Sequence, residues 1–119
     1  MQKQEGALNK RSLGKKYEQM AAAYLQDKGY HILYHNFQCR LGEIDIIARH
    51  NAYLIFVEVK YRKRKDYGYP REAVNFKKQQ HIIRTAAYYL LTHVGVEVPC
   101  RFDVIEILEE QITHIEAAF

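Results

Sequence analysis

Apolar residues recur at two different periods along this chain, and the switches between them mark out its elements. From Gly14 to Lys28 the positions Tyr17, Ala21, Tyr24 and Leu25 share one helical face, and Gly29 follows where a left-handed cap commonly ends a helix. Tyr30 to Gln38, Glu43 to Arg49 and Tyr53 to Tyr61 are short runs rich in β-branched and aromatic residues. They are parted by Gly42 and by His50-Asn51, and they predict three consecutive antiparallel strands. A second helix is expected from about Pro70 to His93, with a stripe at Phe76, Ile83, Ala86, Ala87, Leu90 and Val94. Lys77, Lys78, His81 and Arg84 lie off that stripe, and Gly95 ends the helix. Arg101 to Leu108 and Gln111 to Glu116 predict two more strands around a polar turn at Glu109-Glu110.

The order is α-β-β-β-α-β-β, and a strand–helix–strand crossover of this length brings the later strand in parallel to its partner. An α/β domain with a mixed sheet flanked by helices is therefore expected over residues 14–119. Residues 1–13 lack periodicity and are expected to form a mobile basic arm. The segment Arg62 to Tyr69 is expected to be a mobile loop.

Strand alternation gives the stretch GEIDIIARHNAYLIFVEVK two unlike faces. One holds Glu43, Asp45, Ile47, Leu54, Phe56, Glu58 and Lys60; the other holds Ile44, Ile46, Ala48, Ile55, Val57 and Val59. A one-residue slip would bury two carboxylates and a lysine among aliphatic side chains, so the register is expected to be firm. The acids gather at the open end of the hairpin, where they repel unless a cation lies among them. Lys60 supplies one positive charge; Mg²⁺ or Mn²⁺, held by carboxylates, waters and a substrate phosphate, is the fuller solution. A cross-strand salt-bridge cluster is the plainer alternative. Glu18 falls on the apolar stripe of the first helix with Ala21 and Leu25, so it either reaches water at the stripe's edge or finds a partner or a metal.

Composition narrows the function classes. A chain of 119 residues with 48% apolar content has room for one core. The two cysteines, Cys39 and Cys100, suffice for neither a disulfide framework nor a thiolate zinc site, and the six histidines show no His-Glu-x-x-His spacing. With no membrane-length apolar run and a polar start, a cytoplasmic protein is expected. The net charge is +4, with clusters at Lys10 to Lys16 and Lys60 to Lys65, a distribution that suits either a polyanionic partner or plain solubility.

Four short motifs in order carry a resemblance: Tyr17-Glu18 with Ala21-Ala22, Gly42-Glu43-Ile44-Asp45, Phe56-Val57-Glu58-Val59-Lys60-Tyr61-Arg62, and Arg101-Phe102-Asp103-Val104. Over residues 14–119 the chain resembles the YraN-like family of small bacterial proteins. That family is similar to the restriction-endonuclease-like superfamily, which includes archaeal Holliday-junction resolvases and carries an Asp followed later by Glu-x-Lys. The resemblance implies a restriction-endonuclease-like fold in which Asp45, Glu58 and Lys60 are catalytic. It implies the Val59 carbonyl as a further metal ligand and Glu18 as the helix-one glutamate of the resolvase-like members. Ile44 departs from the proline frequent before the first acid. Arg101 and Asp103 are expected to be structural, as an ion pair, and Glu43 has no role in the resemblance. The implied activity is Mg²⁺- or Mn²⁺-dependent cleavage of DNA, with branched or damaged DNA as candidate substrates. Arg62, Lys63, Arg64, Lys65 and Lys77 are then the expected grip on the backbone, and a two-fold homodimer would set two sites on two strands. The alternative is a non-catalytic nucleic-acid-binding adaptor with the same fold.

Overall fold

The computed structural model describes residues 2–62 and 74–119, and the side chains of residues 12–62 and 74–119. Helix α1 (Gln2–Asp27) is followed by strands β1 (His31–Cys39), β2 (Gly42–His50) and β3 (Tyr53–Arg62). Helix α2 (Phe76–Tyr89) runs into one π-helical turn (Leu90–Val94), and β4 (Cys100–Leu108) and β5 (Gln111–Ile115) complete the chain. The five strands form one sheet in sequence order. Every pairing is antiparallel except β3 with β4, where the α2 crossover returns the chain in parallel, as the element order requires.

Three layers result. Tyr17, Ala21, Ala22 and Leu25 of α1 pack on one face of the sheet against Ile46, Ala48, Ile55, Val57, Ile105 and Ile107. On the other face Ile82, Ala86 and Tyr89 of α2 meet Phe37, Ile47, Leu54, Phe56 and Val104. Gly29, at φ +91°, ends α1 as the sequence suggests, with the Tyr30 N–H donating to the Leu25 carbonyl at 2.9 Å.

Three expectations need correction. Helical backbone begins at Gln2 rather than Gly14, because Gln2 to Leu8 include good helix formers that need no apolar stripe to continue the helix. Helix α2 begins at Phe76, where the Asn75 side chain caps it by accepting from the Lys78 N–H at 2.8 Å. The expected start at Pro70 and most of the expected loop lie outside the described residues. The buried stripe of α2 is Ile82, Thr85, Ala86 and Tyr89, while Phe76 and Ile83 are exposed. Thr85 can join the core because its hydroxyl donates to the His81 carbonyl at 2.8 Å.

The turn from β1 to β2 is pressed against α2. Gly42 has φ +150°, and a Cβ there would stand 2.9 Å from the Thr85 hydroxyl oxygen. Gly42→Ala is therefore expected to destabilise the fold by about 1–3 kcal/mol, through backbone strain and overpacking together. Urea unfolding at neutral pH reads that shift, and an unchanged midpoint would contradict the close approach.

Candidate functional site

The β2/β3 hairpin pairs regularly from His50 and Tyr53 as far as Ile46 and Val57. Beyond Ile46 the strands part, and the Val59 N–H, which a regular ladder would give to a strand carbonyl, donates instead to Asp45 Oδ2 at 2.8 Å. Across β1 the residue facing Asp45 is Asn36, in the left-handed region at φ 56°. This irregularity reverses the alternation of β2. Ile44, expected beside Ile46, packs in the α2-side core, and Ile46 packs in the α1-side core. Asp45 thus sits in a split between two strands rather than on a flat face.

Glu58 reaches the same split from β3, and the two carboxyls share a hydrogen bond. The Glu58 side chain is 11% exposed. Burial, and then the neighbouring Asp45 charge, push the Glu58 carboxyl up to about 8. Asp45 is also raised, first by burial, with the Val59 N–H and Glu58 hydrogen bonds opposing the rise. The Asp45 charge opposes ionisation of Glu58, and a cation beside the pair would relieve that repulsion.

The ammonium beside them comes from α2. Lys78 Nζ lies 3.5 Å from Glu58 Oε2, on a side chain 41% exposed. Asn75 fixes the first turn of α2 and thereby the direction from which Lys78 approaches. Lys78 lies off the expected apolar stripe of α2 and is not among the expected site residues; Asn75 marks where the helix starts, and no local spacing marks Lys78 itself.

The remaining expected site residues are distributed around this pair. Lys60 lies beyond Glu58 on β3, exposed, and its charge acts on Glu106, its neighbour across the parallel pairing. Val59 packs against the α1-side core. Glu18 lines a cavity of about 690 Å³ with Lys15, Gln19, His35 and Asn36. Its carboxyl is raised by burial and then by the charges of Asp45 and Glu43, so it senses the pair without joining it. Among the described residues no cluster of three or more His, Cys, Asp or Glu side chains is placed to hold a metal ion. Glu43 accepts a hydrogen bond from Gln38 at 3.1 Å.

Arg62 is half-buried, and its Nε lies 2.8 Å from Glu106 Oε2, so its guanidinium is engaged within the fold. Lys77 is exposed at the start of α2. Lys63, Arg64 and Lys65 lie outside the described residues. Arg101 and Asp103 form the expected ion pair, at 2.8 Å, away from the site on the α1 side of β4. Cys39 and Cys100 are free and partly buried. No described helix is long and apolar enough to cross a membrane.

A family model described as the uncharacterised protein family UPF0102 matches residues 17–107, which include Glu18, Asp45, Glu58, Lys60 and Lys78. A UPF0102 protein of Lachnoclostridium phytofermentans is 51% identical over 113 residues, covering 94% of this chain and 96% of the relative. One from Clostridioides difficile is 46% identical over 114 residues, covering 94% and 100%. A third, from Caldicellulosiruptor saccharolyticus, is 44% identical over 100 residues, covering 84% and 85%. By the extent of the family match and the near full-length agreement with these relatives, the chain belongs to the UPF0102 family.

Proposed function

We propose that this chain is a divalent-metal-dependent nuclease of the restriction-endonuclease-like kind, hydrolysing phosphodiester bonds of DNA, with branched or damaged DNA as its substrates. The observation that carries the reading is the Asp45–Glu58 pair at the split between β2 and β3, with an ammonium from α2 beside it. Two repelling acids brought together in a strand split, both with raised carboxyls, support a site that handles charge over a structural ion cluster.

The donor set is oxygen only and its two carboxylates repel, which fits Mg²⁺ or Mn²⁺, cations commonly held by one or two carboxylates with water and substrate phosphate. Asp45, Glu58 and the Val59 carbonyl would hold it, and when bound it supplies Lewis-acid polarisation of the phosphate. Lys78 offers a compact positive charge for the phosphoryl oxygens as negative charge builds on them. Lys60 offers a second, one strand repeat further out. Glu18 faces the adjoining cavity, where its carboxyl can orient water or substrate. Lys77 and the basic run through Lys63, Arg64 and Lys65 supply contacts to the DNA backbone.

The test is to titrate Mn²⁺ into wild type and Asp45→Ala while following metal binding and nicking of a four-way junction. Wild type is expected to bind metal and nick, and Asp45→Ala to do neither. Lys78→Ala is expected to retain the metal and lose about 10²-fold in rate. Salt-sensitive DNA binding that ignores Asp45→Ala, with no cleavage of junction, flap, duplex or single-stranded DNA, would establish the non-catalytic adaptor instead.

A further inference from the structure

The cavity beside Glu18 offers more than a place for one carboxyl to act. Its volume of about 690 Å³ is that of a site for a small molecule, and its wall comes from two elements. Helix α1 contributes Gly14, Lys15, Glu18 and Gln19, and β1 contributes His35 and Asn36. Asn36, held in the left-handed region, is also the residue across from Asp45. The cavity therefore adjoins the carboxylate pair at one strand spacing, about 5 Å.

Gly14 is unexpected where it stands. It lies inside α1, and glycine is a poor helix former. A Cβ there would meet nothing within 4 Å beyond its own stretch of helix, so packing does not require the side chain to be missing. Its effect is to leave the cavity open on the α1 side. The groups around that opening are also unengaged. Among the described residues, the side-chain amides of Gln19 and Asn36 and the imidazole of His35 have no hydrogen-bond partner.

The chemistry of the wall selects the ligand. Glu18, its half-buried member, is acidic, and the charges of Asp45 and Glu43 act on it, so the interior repels a second phosphate. Amides, an imidazole and a carboxyl group instead offer donors and acceptors to a neutral polar ring. Lys15, exposed at the rim, is placed for the phosphate from which such a ring hangs.

We infer that this cavity receives an unpaired nucleobase, turned out of the DNA next to the phosphate that Asp45 and Glu58 serve. The inference rests on the proposed nuclease reading for that phosphate and adds what is recognised beside it. A base already unpaired at a branch, bulge or lesion enters readily, whereas one in intact duplex must first be unstacked and unpaired. Selection for unpaired structure then comes from α1 and β1 rather than from the carboxylate pair.

Binding of the full chain to a duplex carrying one unpaired nucleotide tests it. The comparisons are the same duplex fully paired and one with an abasic sugar at the unpaired position. Wild type is expected to bind the unpaired nucleotide roughly tenfold more tightly than either. Gly14→Leu fills the opening and is expected to abolish that preference while its melting temperature holds or rises, since leucine is the better helix former. Gly14→Ala, which adds only a methyl, is expected to hold or gain stability and to keep the preference. Asn36→Gly, which retains the backbone conformation, and Gln19→Ala are each expected to reduce the preference. Affinity for the fully paired duplex is expected to be unchanged in all four. Mn²⁺-dependent nicking of the same duplexes is followed in parallel. Equal or undetectable binding of the abasic and base-bearing duplexes overturns the inference even where wild type nicks DNA, as does a preference that survives Gly14→Leu. A preference that Gly14→Leu removes, with no nicking by wild type, overturns the nuclease reading alone and upholds the nucleobase site.

Discussion

Replacing Asp103 with alanine is expected to cost about 3–5 kcal/mol of stability, the toll of stranding buried charge without its partner. Asp103 is fully buried on β4. One of its oxygens accepts from Arg101 Nε at 2.8 Å and from the Ala117 N–H at 3.0 Å. The other accepts from Arg101 Nη2 at 2.8 Å and meets His114 Nε2 at 2.7 Å. Arg101 Nη2 also donates to the Tyr30 hydroxyl at 2.7 Å, and its Nη1 pairs with Glu116 at 3.2 Å. One carboxylate therefore ties the exit of α1, strands β4 and β5 and the C-terminal segment together.

Burial alone would raise the Asp103 carboxyl, but His114, Arg101 and the Ala117 N–H outweigh it and hold it below the usual carboxylate range. A folded-state value below the unfolded one means the contribution is present above about pH 4 and is lost as pH falls through the lower folded value. Asp103→Ala is thus expected to lower the urea midpoint strongly at pH 7 and progressively less as the solution is acidified below that range. A midpoint within experimental error of wild type at pH 7 would show that the network is incidental. Asp103→Asn, which keeps the volume, is expected to fall between the two.

The contrast between this network and the carboxylate pair shows what a sequence can display. Arg101 and Asp103 are two apart on one strand, so alternation alone puts them on one face, and their pairing was legible. His114 was not, because its contact depends on the β4/β5 register. Asp45 and Glu58 were legible as the acids at the open end of a short hairpin, although the regular pairing that joins Ile47 to Phe56 stops at Ile46 and the alternation of β2 reverses beyond it. Lys78 was hidden because its approach depends on where α2 settles across the sheet, a tertiary choice that no local spacing records. Lys60 shares the Glu58 side of β3 but lies one strand repeat further on, about 7 Å, opposite Glu106 in the parallel pairing.

The inner face of α2 was misread for a related reason. Ile82 and Ile83, and Ala86 and Ala87, are adjacent apolar pairs, so the apolar arc can be centred on either member of each pair. Periodicity then identifies a helix without choosing which stripe goes inward. The choice was made by Tyr89, whose ring meets Phe37 at 5.1 Å and Phe56 at 6.0 Å between centroids.

The carboxylate pair should make the metal-free protein lose stability as pH rises, and Glu58→Gln should remove most of that loss. In the fold Glu58 keeps its proton to about 8, well above an unfolded value near 4.5, so the native state binds more protons than the unfolded chain between those limits. The contribution is complete below pH 4.5 and falls as pH climbs through about 8, by an amount on the order of a few kcal/mol. Glutamine preserves the hydrogen bond to Asp45 without the charge. Its melting temperature is expected to match wild type at pH 4 to 5 and to exceed it by roughly 5–10 °C at pH 9. Divalent cations should reverse the order. They compete with the shared proton, so Mn²⁺ is expected to stabilise wild type increasingly as pH rises toward 9 and to do little for Glu58→Gln. A wild type whose melting temperature does not fall between pH 5 and 9, or which Mn²⁺ stabilises no more than the glutamine variant, would mean the two acids carry no shared proton for a cation to displace.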